Sequence, residues 1–548
     1  MQKYNYLTNL KILQLLQCKL IASVIFMMLI GCDSKTKSDK DHLVFRYNEY
    51  KNINSLDPAF AKDNSAIWAC NQLFNGLVQL DDNLNIKPDV AKSWLISDDA
   101  KTYTFTIKKN VYFHNHKLFG NKKREVTAHD FEYSFNRLTD EKTASPGSNT
   151  LQQVAYYNAI NDTIFKIQLK QPFPAFLGVL TTKYCSVLPK EIVTYYGNNF
   201  RANPIGTGPF KFKRWEENVK LVLRKNNHYH EFDEKGKQLP YLEAVAISFL
   251  TDKQSEFLQF SQGNIDFISG LAPSYKDELL TAKGELKTKY ISSVNMVSGD
   301  YLNTEYLGFY MDTEQTEIQS SLIRKAINYG FDRQIMIKYL RNGIGTPAEN
   351  GFIPKGLPSF NHTRGYNYQP ERAKELVKKF KKETGINEPK ITISTNSAYV
   401  DLCEYIQREL EKIGLTVTVD LLTSSTLKEG KSKGSLAVFR ASWVADYPDA
   451  ENYLSLFYSK NFTPNGPNYT HFKNEEYDSL YENALKEIHL EKRHVLYQKM
   501  DSIVINNAPV IPLYYDQVIR FSRKNINGLG INPINLLQLK KVSKSKRP

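Results

Sequence analysis

Residues 390–421 have the sequence KITISTNSAYVDLCEYIQRELEKIGLTVTVDL. Both ends of this stretch alternate apolar and polar side chains, a period of two that is typical of a β-strand with one exposed face. Between them Leu402, Ile406 and Leu410 recur at helical spacing, and Gly414 is a residue type that commonly ends a helix. A strand, a helix and a second strand in this order form a β-α-β unit. The stretch therefore predicts a parallel strand pair within an α/β fold.

The neighbouring segments extend the same α/β pattern. Leu436–Arg440 is short and nearly apolar, which indicates a buried strand whose end brings the following residues to the rim of the sheet. Pro370 predicts the first turn of a helix, and Thr127 with Asp130 predicts a capping box that opens another. Lys101–Ile107 alternates as a strand does. Because no repeat and no Pro/Gly linker divides the chain, we expect lobes built from discontinuous segments and joined by a hinge.

The N-terminus has the pattern of a bacterial lipoprotein signal. Three lysines precede the apolar run Leu20–Ile30, which at about 11 residues is too short to span a bilayer. The run leads into Leu29-Ile30-Gly31-Cys32, which resembles the lipobox, in which the cysteine is acylated and becomes the first mature residue. The polar residues that follow, up to about residue 42, are typical of a flexible tether. The alternative is a buried cysteine in an N-terminal anchor helix.

Charge and cysteine content limit the possible partners. The formal net charge is +14 over 548 residues, but the lysines are spread along the chain and mixed with acids, so we expect no nucleic-acid partner. The dense basic run Lys540–Arg547 is interpreted as a solvated tail. Cys70, Cys185 and Cys403 lack metal-type spacing and are expected to be ordinary core thiols, with at most one disulfide among them.

No enzyme motif is visible in the sequence. It lacks a zinc-binding His-Glu-x-x-His helix, a nucleophile elbow and a Cys-x-x-Cys pair. Gly206-Thr207-Gly208 is followed by Pro209, which has no N–H to offer an anion, so it is interpreted as a turn. His114 and His116 share one face if they lie on a strand and could bind a metal ion together, but chance placement at the surface is the favoured interpretation. We therefore predict no enzyme activity, no cofactor and no metal.

Residues 440–449, RASWVADYPD, have the chemistry of a peptide site. A cleft that closes on a zwitterionic peptide must meet its ammonium with a fixed carboxylate, because an unpaired charge removed from water is very costly. Asp446 suits the ammonium, and Arg440 suits a carboxylate because a guanidinium can bind it with two parallel hydrogen bonds. Trp443 lies between them in an extended run that can pair with a peptide backbone. The alternative is that Asp446–Asp449 is an ordinary turn.

Several short motifs, in one order and spacing, resemble the family 5 extracellular solute-binding proteins, the oligopeptide- and dipeptide-binding group of ATP-binding-cassette (ABC) importers. The resemblance covers residues 43 to 535 approximately. Its motifs are Ser55-Leu56-Asp57-Pro58, Leu73-Phe74-Asn75-Gly76-Leu77, Val126–Ser134, Thr143–Pro146, Gly206–Phe210, Arg324–Asn328 with Asp332-Arg333, and Pro509–Tyr514.

The resemblance implies a two-lobed, clamshell fold of the type II periplasmic-binding-protein class with an additional third domain. The boundaries it implies are a signal peptide (1–31), a lipidated tether (32–42), lobe I (43–84, 192–292 and 509–548, the last with the basic tail), domain II (85–191) and lobe III (293–508).

The resemblance also implies a ligand enclosed between lobes I and III. Asp446 matches the family aspartate that binds the peptide ammonium, and Arg440 matches an arginine that meets acidic groups of the ligand. Ser442, Trp443 and Val444 match the lobe III strand that pairs with the peptide. The spacing from Asp57 to Phe74 puts a lobe I strand edge at Ala61, Lys62, Asp63 and Asn64.

The expected function is therefore capture of short peptides and their delivery to the permease subunits of an ABC importer. The protein would be a monomer held to a membrane only by lipid on Cys32. One alternative is another solute on the same fold: a nickel chelate, haem, glutathione or an oligosaccharide. The other is a surface chaperone or adhesin.

Overall fold

The computed structural model describes residues 43–360 and 365–546 of the chain. The strands in this part are β1 (Val44–Asn48), β2 (Val78–Leu80), β3 (Ile86–Pro88), β4 (Ala91–Ile96), β5 (Thr102–Ile107), β6 (Val154–Asn161), β7 (Ile164–Leu169), β8 (Phe210–Glu216), β9 (Lys220–Lys225), β10 (Ala244–Ser248), β11 (Phe267–Ser269), β12 (Val294–Phe309), β13 (Thr346–Pro347), β14 (Lys390–Thr395), β15 (Thr416–Leu421), β16 (Val438–Val444), β17 (Val510–Arg523), β18 (Ile526–Asn527) and β19 (Ser543–Lys544).

The α-helices of the same residues lie among these strands in sequence. They are α1 (Asn64–Leu73), α2 (Ala128–Thr139), α3 (Phe176–Val179), α4 (Lys190–Tyr196), α5 (Lys253–Ser261), α6 (Lys276–Leu279), α7 (Thr288–Ile291), α8 (Thr316–Gln319), α9 (Ser321–Tyr329), α10 (Arg333–Leu340), α11 (Pro370–Thr384), α12 (Val400–Glu411), α13 (Ser424–Ser432), α14 (Glu451–Leu454), α15 (Glu475–Lys486) and α16 (Leu490–Asn507).

One large mixed sheet runs through both lobes in the order β15-β14-β16-β12-β17-β11-β1-β10-β9-β8. The predicted β-α-β unit is confirmed, since β14 and β15 are parallel and α12 lies between them in sequence. Strand β16 is also parallel to β14, pairing Val438 with Ile393. We call the half of the sheet with β14–β16 lobe III and the half with β1 and β8–β11 lobe I.

The antiparallel strands β12 and β17 join the two lobes. Their register is irregular between Asp300 and Thr304, so the pairing changes where the strands pass from lobe I to lobe III. The separate apolar cores on the two sides of this irregularity indicate two bodies connected by two strands. This arrangement is suited to a hinge.

A separate antiparallel sheet, β4-β5-β7-β6, forms a third body, which we call domain II. Helix α2 packs on this sheet through Phe131 and Phe135, which contact Phe165 of β7. The predicted capping box is present at the start of α2, where the Thr127 N–H donates to the Asp130 carboxylate at 2.8 Å. The α/β class is thus confirmed, whereas the residue boundaries between lobes and domain stay predictions.

The prediction of a solvated C-terminal tail is wrong for most of its length. Leu539 and Val542 are fully buried in the lobe I core, and Lys544 is buried in an ion pair with Asp266 at 2.8 Å. The sequence pattern is misleading because an apolar residue between the lysines packs into the core and because the buried Asp266 carboxylate forms an ion pair with Lys544. Among the described residues of the run, only Lys541, Ser545 and Lys546 are exposed.

Other sequence predictions have clear outcomes. Cys70, Cys185 and Cys403 are buried free thiols, as expected. Gly206 lies in a turn against the backbone of Leu73, where a Cβ would come within 2.1 Å of the carbonyl oxygen, so a side chain does not fit. Within the described residues, no helix has the length and apolar character needed to cross a membrane. The predicted signal peptide, tether and Cys32 lie outside these residues.

Candidate functional site

A cavity of about 510 Å³ lies between lobe III and the other two bodies. This volume is in the usual range for small-ligand pockets. One wall is a single face of α1, whose residues at helical spacing point into the space. The opposite wall is the end of β16 with the residues that follow it. The lining residues used below are Asp63, Asn71, Lys183, Tyr184, Trp443 and Asp446.

Asp446 presents a carboxylate to this cavity. The Asp446 side chain is accessible to solvent on the side that faces the cavity. Its other sides are closely surrounded by protein atoms. Burial raises the pKa of Asp446, and a hydrogen bond from Asn452 only partly opposes the rise. No lysine or arginine of the described residues forms an ion pair with it. Within the described part of the chain, the Asp446 carboxylate therefore has no cationic partner.

Asn452 of α14 fixes the segment that carries Asp446. Its side-chain oxygen accepts hydrogen bonds from the Trp443 indole N–H at 2.8 Å and from the Asp446 backbone N–H at 3.3 Å. The residue is buried, so the three groups hold one another in place. Sequence reasoning missed Asn452, and its position three residues beyond the Asp-Tyr-Pro-Asp motif gives no periodic signal that could have revealed it.

Strand β16 offers an open edge beside the cavity. It pairs with β12 along its full length, from Val438 to Val444, but with β14 only at Val438 and Phe439. Past Phe439 no strand of the described residues pairs with the second edge. Backbone groups on this edge are therefore placed to pair with an extended guest.

The structure does not bring Arg440 to the cavity. Its guanidinium donates to the buried carboxylate of Glu305 on β12 and stacks 3.1 Å from the ring centre of Tyr399. Because this charge is already matched inside lobe III, the predicted contact with acidic groups of a ligand has no geometric support. Ser442 also lies outside the cavity lining, opposite Glu305 in the β12–β16 pairing.

The other predicted residues meet at the cavity. They are Ala61, Lys62, Asp63, Asn64, Trp443, Val444 and Asp446. Asp63 caps α1 by accepting from the Ala66 N–H at 3.1 Å, which fixes the first of these segments. Their ligand contacts stay predictions, but the structure places the two segments, almost 400 residues apart in sequence, on facing walls.

Lys183 lies at another part of the cavity. Its ammonium donates to the side-chain oxygen of Asn71 near the C-terminal end of α1 at 2.8 Å, and no carboxylate of the described residues is within ion-pair distance. Burial lowers the pKa of Lys183, while the charge of Asp89 opposes the change without cancelling it. Sequence reasoning missed this residue because its neighbours in the site come from a distant helix.

Three potential metal-donor groups lie close together beside the cavity, and two of them have other protein partners. Asp89, His230 and Glu231 have ligand atoms within 4.8 Å of one another. However, Glu231 already forms an ion pair with Lys540 at 2.7 Å. Asp89 likewise accepts from the Asn75 amide at 2.9 Å.

The histidine pair suggested by the sequence also does not form a metal clip. His114 and His116 are engaged separately, by the Gly208 carbonyl and the Tyr196 hydroxyl, each at 3.0 Å.

Two lobes joined by two long strands, enclosing a cavity with fixed unpaired charges, define a ligand-binding protein of the clamshell type. Comparisons with known proteins agree. Residues 85–465 match the family described as bacterial extracellular solute-binding proteins, family 5, middle region. The chain belongs to this family.

Individual relatives extend the match to nearly the whole chain. The glutathione-binding protein GsiB of Salmonella paratyphi A is 24% identical over 493 residues, which cover 88% of this chain and 91% of the relative. The periplasmic binding protein DppA from Helicobacter pylori, solved in complex with the peptide STSA, has a TM-score of 0.79 at 26% identity, covering 92% of this chain and 98% of that one.

A dipeptide-binding protein from Pseudoalteromonas sp. SM9913, solved in complex with Met-Leu, has a TM-score of 0.79 at 22% identity. It covers 92% of this chain and 100% of that one. These structures confirm the predicted two-lobed fold.

Proposed function

We propose that this protein binds short peptides between its lobes and delivers them to an ABC importer. The observation that carries the proposal is the Asp446 carboxylate, which faces an enclosed cavity without a cationic partner among the described residues. The α-ammonium of a peptide is a cation of the right size and charge. Its entry would neutralise a carboxylate that the fold otherwise keeps in crowded surroundings.

Backbone pairing is the second feature that supports a peptide ligand. The open edge of β16 next to Trp443 supplies donors and acceptors that read the backbone and not the side chains of a guest. Ligand specificity would therefore be broad in sequence and strict in the requirement for a free N-terminus. Two similar structures, those from Helicobacter and Pseudoalteromonas, contain bound peptides, which is consistent with this proposal.

The proposal includes an extracytoplasmic, lipid-anchored state. The basic and apolar segments before Leu29-Ile30-Gly31-Cys32 support acylation of Cys32, and family membership supports an extracytoplasmic location. The protein would act as a monomeric binding protein without catalysis. Metabolic labelling with a palmitate analogue should mark the native protein and fail to mark Cys32→Ser; labelling that persists in the variant would disprove this assignment.

The peptide function is tested by calorimetry with matched ligands. Free di- to pentapeptides should bind, and their N-acetylated forms should bind at least about 30-fold more weakly because they lack the charge that Asp446 meets. Glutathione belongs in the panel because it is a tripeptide with an α-ammonium and a relative is named for binding it. Equal affinity for acetylated and free peptides would refute the role of Asp446.

Two variants complete this experiment. Asp446→Asn removes the charge with little change in shape and should weaken peptide binding by about 30- to 1,000-fold. Asp63→Asn is the matched control, because it also removes a cavity carboxylate while asparagine can still cap α1. It should lose much less affinity than Asp446→Asn, and equal losses would mean that general electrostatics, not one contact, determines binding.

A further inference from the structure

Among the charged side chains that line the cavity, Asp446 and Lys183 lie on different segments of its wall, and neither forms an ion pair with another described residue. We infer that Lys183 binds a carboxylate of the ligand and that helix α1 sets the spacing between this contact and the one at Asp446, which selects ligands of about three to four residues. This inference rests on the proposed function and adds to it a second anchor and a ligand length.

The surroundings of Lys183 point to an anionic guest. Its ammonium has three donor hydrogens, and its hydrogen-bonded protein partner is the neutral amide oxygen of Asn71 at 2.8 Å. The charge of Asp89 is near enough to influence Lys183, but Asp89 is itself held by Asn75 and by the Gly76 N–H. An arriving carboxylate would therefore supply the charge and hydrogen bonds that the protein leaves unsupplied.

Lys183 and Asp446 belong to different segments of the cavity wall. Asp446 and Asp63 both lie within electrostatic reach of the Tyr184 hydroxyl, because the charges of both carboxylates add to the burial that raises its pKa. Asp446 is thus near the N-terminal end of α1, where Asp63 is the cap, and Lys183 is bonded to Asn71 near the other end.

The length of α1 gives an estimate of the ligand length. Asn71 follows Asp63 by eight positions, and an α-helix rises 1.5 Å per residue, so the two ends are about 12 Å apart. An extended peptide spans about 3.3–3.6 Å per residue, so three to four residues connect the two charged ends. The helix dipole also favours a cation at the end where Lys183 lies and an anion at the end where Asp446 lies.

The carboxylate could come from the C-terminus of the peptide or from an acidic side chain. Calorimetry with alanine peptides of two to five residues, each as the free acid and as the C-terminal amide, distinguishes these sources. We expect wild type to prefer the tri- and tetrapeptide acids and to bind their amides about 10- to 100-fold more weakly. An amidated tripeptide ending in glutamate would regain affinity only if a side-chain carboxylate can also reach Lys183.

Lys183→Met should remove this preference. Its affinity for the free acids should fall to that of the amides, the amides should be unaffected, and the length optimum should disappear. Lys142→Met is the matched control, because this lysine is exposed on domain II outside the cavity and tests for long-range charge effects. It should bind like wild type. Should Lys183→Met fold poorly, the comparison of acids and amides on wild type decides the question alone.

The possible outcomes separate this inference from the proposed function. Equal binding of acids and amides by wild type, with N-acetylation still harmful, would overturn the role of Lys183 and leave the peptide function standing. A loss of affinity on C-terminal amidation, without a loss on N-acetylation, would support the contact at Lys183 and refute the contact at Asp446. Failure of every peptide to bind would overturn both, and a flat dependence on length would overturn the role assigned to α1.

Discussion

The buried ion pair between Arg440 and Glu305 allows a sharp test of where Arg440 acts. The two side chains are 9% and 2% exposed, and Glu305 also accepts from the Asn303 amide at 3.0 Å. Removing one partner of such a pair leaves an uncompensated charge in the protein interior, which usually costs about 3–5 kcal/mol. We therefore expect Arg440→Met to destabilise lobe III by about this amount at neutral pH.

The loss of stability caused by Arg440→Met should depend on pH in a defined direction. Burial already raises the pKa of Glu305 despite the opposing charge of Arg440, and without the arginine it would rise further. A carboxylate with a raised pKa in the folded state contributes stability at low pH that is lost as the pH increases through that pKa. The difference between wild type and Arg440→Met should thus shrink on acidification, and Arg440→Met with Glu305→Gln should recover most of the loss at neutral pH.

The assay combines thermal unfolding with hydrogen exchange of the β16 amides. Arg214→Met is the matched control, because Arg214 and Glu216 form an exposed pair, with 72% and 50% of the side chains accessible, and such pairs contribute about 0–1 kcal/mol. Peptide affinity of folded Arg440→Met should remain within about threefold of wild type. If the variant proved as stable as Arg214→Met but lost affinity for peptide carboxylates, the interior assignment of Arg440 would be refuted.

Three further predictions concern protonation. Burial lowers the pKa of His114 to about 4, so wild type should lose at most about 3 kcal/mol of stability as the pH falls from about 6.5 towards 4. Thermal melting curves of His114→Gln should depend less on pH in this range. Burial raises the pKa of Asp501 to about 7, so stability should fall as the pH rises from about 4 through 7, and Asp501→Asn should melt higher relative to wild type at pH 8 than at pH 5. Peptide affinity measured by calorimetry should have a bell-shaped dependence on pH. The acid limb should lie above the ordinary aspartate pKa of 3.8, because Asp446 must lose its proton to bind the ammonium. The alkaline limb should lie near about 8, where the peptide ammonium deprotonates. An acid limb that stays at the same pH in Asp446→Asn would contradict the last of these.

Local patterns predicted the fold well because local forces determine the elements involved. The alternation in residues 390–394 and 415–421 and the helical spacing between them require only neighbouring residues to define their structure, and β14, α12 and β15 follow. The prediction for the C-terminal segment was wrong for the opposite reason. Its lysines indicate solvent, but the partner of Lys544 is Asp266, which no local pattern connects to it.

The cavity-lining residues could be predicted where one segment carries the chemistry and were missed where several segments share it. Trp443 and Asp446 lie within a single motif, so residue type and spacing were enough to propose them, and both line the cavity. Arg440 has the right chemistry for a carboxylate, yet that carboxylate belongs to Glu305 on an adjacent strand, which the sequence cannot distinguish from a ligand. Lys183 becomes visible only when α1 is folded against it.

The placement of Asp446 and Lys183 on different bodies would link ligand chemistry to closure of the lobes. Asp446 belongs to lobe III, whereas Lys183 reaches the cavity from the side of domain II and α1. A ligand shifts an equilibrium between open and closed states only by the difference in its affinity for the two. Under the proposed function, a peptide of the matching length would contact both charges only in a closed state, whereas a shorter or blocked peptide would meet one of them in either state. Recognition of the ligand and closure of the lobes would therefore depend on the same two contacts across the hinge formed by β12 and β17.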